Sequence, residues 1–193
     1  ISRALISPLL TLFLSNKLGL NPQDVGLLLG IAVFSAMLLS LYGGYIIDRL
    51  DKRRLLILTM LSSGIGLMLL TFAQNLYLVT LVLIISETAS ALFLICSKAI
   101  LSENLPIGQR VKAFSLNYTL TNIGYAVGPM IGVVIAGIQP GAPFIVAGAI
   151  ACASVFLLLG VARKVNPITP LGQPQSFLNT LIILKNDRTM VLF

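Results

Sequence analysis

Arg3, Glu87 and Lys98 each carry a full charge inside a long apolar run. In such surroundings a carboxylate can bind a proton or a cationic group, and an arginine can act as its counter-ion. Lys98 follows Glu87 by eleven residues, about three helical turns, so the two share one helix face. Cys96 and Cys152 are the two cysteines, and both lie within apolar runs. They read as small buried hydrophobes, with no support for a disulfide or a metal site. No catalytic residue, metal ligand or cofactor is expected.

The elements that must position these charges follow from composition. The chain is 57% hydrophobic and 10% charged, against about 25% charged in a soluble domain. So little charge cannot cover a soluble core, and the apolar side chains must face lipid. The runs predict a truncated first span over 1–16. Full spans follow over 25–47, 55–73, 76–101, 113–138 and 142–161. They are continuous rather than alternating, which argues for helices over barrel strands. The expected fold class is therefore an all-α integral membrane bundle.

The loops alternate in charge. LGLNPQD, AQN and QPG are nearly uncharged, whereas DRLDKRR, PIGQRVK and the segment from Arg163 are basic. Ten of the thirteen Lys and Arg fall in the basic set, and Lys17 alone falls in the other. The net charge of +7 is thus a matter of membrane orientation rather than nucleic-acid binding. Basic loops face the cytoplasm. Arg3 then lies about 14 residues from the outer end of its span, roughly 20 Å, and Glu87 about 11 or 12 residues, roughly 17 Å. Both sit near the midplane and are expected to meet in a central cavity, with Lys98 on the same face nearer the cytoplasm. Residues 1–162 are expected to form one six-helix unit. A cytoplasmic linker with a short amphipathic helix would span 163–189, and 190–193 would begin a seventh helix.

Two stretches ask for more than a charge rule. GGYIIDRLDKRRL, residues 43–55, puts Gly44 and Asp48 at the membrane edge before the basic turn. It resembles motif A of the major facilitator superfamily, G-x-L-A-D-R-x-G-R-K-x-x-L, with Gly44, Ile46, Asp48, Arg49, Lys52, Arg53 and Leu56 at matching places. Asp51 replaces the second glycine, at a turn where Asp tolerates a left-handed backbone better than most residues. The second stretch, NIGYAVGPMIGV, runs from Asn122 to Val133. Gly124, Gly128 and Gly132 recur every four residues on one helix face, with Pro129 beside the middle one. This resembles motif C, G-x-x-x-G-P-x-x-G-G, of the superfamily's proton-coupled exporters, except at Val133. LPIGQRVKAFS resembles the family's loop between spans four and five, with Arg110 at its recurring arginine. The arginine of motif B, expected in span four, is absent; Glu87 and Lys98 are the ionisable groups there.

The resemblance covers the whole chain as the first six of twelve spans, with the missing C-terminal half of the same protein as partner. It implies two inverted three-helix repeats beside a central cavity. It also implies a latch in which Asp48, with Gly44, Arg49, Lys52 and Arg53, holds one conformation. The implied function is a secondary transporter exporting a small-molecule substrate by proton antiport across a bacterial inner membrane. The pattern is closest to exporters of drugs, short peptides or similar metabolites. Glu87, Arg3, Lys98 and Asn122 are the candidate substrate- or proton-binding residues. Alternatives are an uptake or sugar-type facilitator, and a non-transporting sensor or assembly module on the same fold. No nucleotide-binding P-loop supports an ATP-driven pump.

The charge alternation makes a direct prediction. Impermeant thiol reagent added from outside should label a single cysteine at Asn75 and leave one at Lys52 unlabelled. The reverse pattern would invert the orientation.

Overall fold

The computed structural model describes residues 2–43, 47 and 50–162. Gly44, Ile46, Asp48 and Arg49 of the motif A stretch, the linker over 163–189 and the start of a seventh helix lie outside the described residues. Within them the chain is helical throughout: α1 Ser2–Ile6, α2 Leu9–Leu18, α3 Pro22–Leu41, α4 Lys52–Phe72, α5 Leu76–Asn104, α6 Ile107–Ala136 and α7 Ala142–Ala162. The last five are each long and apolar enough to cross a membrane.

The first span is divided. Pro8 has no N–H to donate to the carbonyl one turn earlier, and its ring crowds that carbonyl. The run therefore breaks into α1 and α2. Gly19 closes α2 with a φ of 64°, a left-handed cap that suits glycine. The segment PIGQRVK, expected as a loop, is from Ile107 onward the opening of α6. Only Leu105 and Pro106 separate α5 from α6. These helices hold 29 and 30 residues, about 45 Å at 1.5 Å per residue, well beyond a ~30 Å hydrocarbon core. Gln, Arg and Lys are good helix formers, so the helices continue into the aqueous layer. Asp51, in place of the family's second glycine, does not adopt the left-handed conformation that it tolerates. Its backbone is extended, at φ −62° and ψ 106°, and its carboxylate accepts from the Arg53 N–H at 3.0 Å. It caps the N-terminus of α4 instead of making a left-handed turn.

The contacts between helices carry an internal symmetry. The α1–α2 span, α3 and α4 form one triplet, and α5, α6 and α7 a second. Helix α5 lies against α3 and α4, while α1 lies against α6 and α7. Exchanging the two triplets maps this pattern onto itself. The α4–α7 contact maps onto its own reverse, and it is made glycine to glycine. A β-carbon on Gly64 would lie 3.0 Å from the Gly148 carbonyl oxygen, and one on Gly148 would lie 2.5 Å from that of Gly64. Such an arrangement is what two inverted three-helix repeats require.

Apolar residues fill one end of this unit. Leu14, Val25, Leu70, Val79 and Phe144 are buried in a cluster at the end bearing the uncharged loops. At the basic end the buried cluster is small: Ile47, Leu55 and Cys96. Helix α6 is held differently. Its buried residues are Gly124, Gly128 and Gly132, while Tyr118, Met130 and Val134 are exposed. A β-carbon on Gly128 would stand 2.9 Å from the Ala4 carbonyl carbon, and one on Gly132 would overlap the Leu5 carbonyl oxygen. At Gly137, by contrast, the nearest atom is the Val134 carbonyl oxygen of the turn before, at 3.3 Å.

Association of helices in lipid rests on such close contact rather than on apolar burial. Gly132→Ala should therefore destabilise the fold by about 1–3 kcal/mol, as overfilled contacts do, and Gly128→Leu by more. Gly137→Ala should have little effect. Thermal unfolding in detergent checks the order; equal midpoints for all three would remove the stripe as an interface.

Candidate functional site

The α1–α6 contact holds Arg3, two residues before Leu5, on the wall of a cavity. Across it, α5 presents Glu87, Ser90, Ala91 and Leu94, and α3 presents Val33, Ala36, Met37 and Ser40. Both sets recur at i, i+3, i+4 and i+7, which is one face of a helix. Phe93 of α5, Met60 and Ser63 of α4, Tyr125 of α6 and Ala151 of α7 complete the lining, around a volume of about 520 Å³. The cavity extends from the middle of the bundle toward its basic end.

Arg3 and Glu87 form an ion pair at this site. Arg3 Nη1 donates to Glu87 Oε2 at 2.7 Å, and Nη2 donates to the Ser86 carbonyl at 3.0 Å. The side chains are 33% and 24% exposed, so the pair is partly desolvated yet reachable from the cavity. Arg3 Nε is buried without a partner. Behind the pair, the Ser63 and Ser90 hydroxyls share a hydrogen bond of 2.8 Å, tying α4 to α5. The remaining candidates lie apart. Lys98 is exposed, one turn beyond Leu94 on the same face and outside the cavity lining. Asn122 is exposed, and its Nδ2 donates to the Tyr118 carbonyl of its own helix at 3.0 Å. Pro129 lies inside α6 between the buried Gly128 and Gly132, so the motif C stretch supports the seat of α1 rather than the cavity wall, apart from Tyr125.

Of the motif A residues, Lys52, Arg53 and Leu56 are described. Lys52 Nζ pairs with Glu103 Oε1 at 2.5 Å, joining the start of α4 to the end of α5. The Cys96 thiol donates to the Lys52 carbonyl at 3.2 Å. Arg53 Nε and Nη2 are buried without a partner.

The whole chain, residues 1–193, matches the family model of the Major Facilitator Superfamily. The chain belongs to the major facilitator superfamily. Among its relatives, the uncharacterised MFS-type transporter YdeE of Escherichia coli is 31% identical over 144 residues, covering 75% of this chain and 36% of that protein. The uncharacterised MFS-type transporter YqjV of Bacillus subtilis is 28% identical, covering 72% and 34%. The quinolone resistance protein NorA of Staphylococcus aureus is 26% identical, covering 76% and 37%. The matched stretch thus spans about a third of each relative. This is a membrane protein of several spans from a family of transporters, and its helical unit is a superfamily bundle.

Sequence reasoning passed over Lys17. Its ammonium donates to the Leu70 and Thr71 carbonyls at 2.7 and 2.6 Å, in the last turn of α4, where carbonyls lack helical partners. It also lies 5.3 Å from the centre of the Phe13 ring, which stacks on Phe144 at 4.4 Å. The signal was present: Lys17 is the lone basic residue of the nearly uncharged loop set, which the orientation rule leaves unexplained. Lys17→Met should lower stability by about 1–3 kcal/mol, because two carbonyls lose their donor. Lys17→Arg should retain most of it. Denaturation midpoints of the two variants check this, and a Lys17→Met protein as stable as the parent would leave Lys17 without a capping role.

Proposed function

We infer that this chain is the N-terminal six-helix half of a secondary transporter that exports small molecules through a bacterial inner membrane. Export is driven by proton antiport with alternating access, and a C-terminal half completes the cavity. The observation that carries this reading is the Arg3–Glu87 pair, 2.7 Å apart and facing a cavity of about 520 Å³. Charge at bilayer depth is costly, and where it faces a cavity it commonly serves a substrate or proton pathway. Glu87 is the proton acceptor in this reading, and Arg3 is its counter-ion. Protonation of Glu87 dissolves the pair, so proton and substrate compete for the same carboxylate. The relationship to a quinolone resistance protein supports export of drug-like amphipathic molecules. The Lys52–Glu103 pair stiffens the cytoplasmic end, and Asp48 serves as the latch of one of the two conformations. Lys98 contributes to the cytoplasmic approach to the cavity, and Asn122 to the face turned toward the other half.

The test is Glu87→Gln in the full-length carrier, reconstituted in vesicles with an imposed pH gradient and a panel of quinolones and other amphipathic substrates. Gradient-driven transport should fall by at least about tenfold, within the range typical of coupling free energies. Exchange of substrate at equal concentrations on both sides should persist. Full gradient-driven transport by Glu87→Gln would overturn the proton role.

A further inference from the structure

Among the described residues, the charges lining the cavity are Arg3 and Glu87, and they neutralise each other. Serine hydroxyls from Ser40, Ser63 and Ser90 lie on the same lining as Met37, Met60 and Phe93. The pair is also incompletely committed. A guanidinium has five N–H donors arranged as a fork. Arg3 spends Nη1 on one Glu87 oxygen and Nη2 on a backbone carbonyl, while its Nε has no partner. Glu87 uses Oε2 for the contact and lines the cavity, which leaves Oε1 with acceptor capacity.

These features rank ligand charge types. A monocation that takes Glu87 strands a partly buried guanidinium. A monoanion that takes Arg3 strands a carboxylate unless Glu87 also gains a proton. Breaking such a pair from one side is strongly unfavourable because the other charge loses its partner. A zwitterion does neither, since its ammonium takes Glu87, its carboxylate takes Arg3, and one ion pair becomes two. The protein charges are in direct contact, so a headgroup that enters between them with little movement has its own two charges close together. The remaining walls, aliphatic, thioether and aromatic, suit an apolar body, and methionine adapts to varied shapes. The volume lies within the range for small-molecule pockets, roughly 300–1,000 Å³.

We propose that the Arg3–Glu87 site selects amphipathic zwitterions, with an ammonium and a carboxylate at one end and an apolar body at the other, as in an aromatic amino acid. This rests on the reading of the cavity as a substrate site and names the class of substrate. Three probes share one apolar body: naphthylalanine, the zwitterion; naphthylethylamine, the monocation; and naphthylpropionate, the monoanion. Their binding to the purified full-length carrier is measured by naphthyl fluorescence at neutral pH without a gradient. Naphthylalanine should bind at least about tenfold more tightly than either single ion, a difference of about 1.4 kcal/mol. Arg3→Gln should shift the preference to naphthylethylamine and Glu87→Gln to naphthylpropionate, and these gains show that the variants are folded. Equal affinity for the three probes, a wild-type preference for a single ion, or no binding of any would overturn the zwitterion class. Uptake of naphthylalanine by vesicles under a pH gradient is read separately. Binding without gradient-driven transport would overturn proton antiport and leave the zwitterion class standing.

Discussion

The backbone of Leu5 lies against Gly132 so closely that a β-carbon on the glycine would overlap the Leu5 carbonyl oxygen. In lipid there is no hydrophobic gain from bringing two apolar helices together, so association depends on close atomic contact. The α1–α6 contact is of this kind, and the position of Arg3 depends on it. Had α6 carried side chains at Gly128 and Gly132, α1 would stand farther out and the guanidinium would not be held 2.7 Å from Glu87. The same device joins α4 to α7 through Gly64 and Gly148, at the crossing that the exchange of the two helix triplets maps onto itself. Glycine thus sets the geometry of the unit at its centre and at its flank.

Electrostatics divides the molecule along the membrane normal. At the uncharged end, apolar residues close the bundle and Lys17 spends its charge on the terminal carbonyls of α4. At mid-depth, Arg3 and Glu87 neutralise each other beside the cavity. At the basic end, Lys52 and Glu103 tie α4 to α5, and Asp51 caps α4. Each of these charges answers a local need: orphan carbonyls, a desolvated counter-ion or an uncapped helix. The mid-depth pair differs from the others because it borders open volume. A bundle held only by helix contacts has no use for a partly exposed ion pair there, which supports the role proposed for it.

Much of the fold was legible in sequence because membrane spans announce themselves locally. Continuous apolar runs mark α3 through α7, and the alternation of basic and uncharged loops orders them. Errors arose where local propensity and membrane depth diverge. PIGQRVK is polar, and so was expected outside a helix, yet polar helix formers extend α6 beyond the lipid. Asp51 stands where its family has glycine, and the side chain turned out to matter as a cap rather than for its turn. The site was half legible. The depth of Arg3 and Glu87 could be counted from the span ends, and helical spacing put the three glycines on one face. The serine pair Ser63–Ser90 gave no signal, because serine is common in membrane helices and its partner lies on another helix.

By itself, then, the sequence determined that this is a helical membrane unit with its basic loops on one side, with two opposite charges at matching depth and a glycine stripe on its fifth long run. Those properties depend on composition, period and rise per residue, which are local. The tertiary structure alone decided which helix the glycine stripe meets, that the two charges touch, that Lys17 caps a helix 53 residues away in sequence, and that Asn122 and Lys98 stand outside the cavity lining. Those depend on how helices rotate about their axes and against which neighbours, and rotation is set by contacts between residues far apart in the chain.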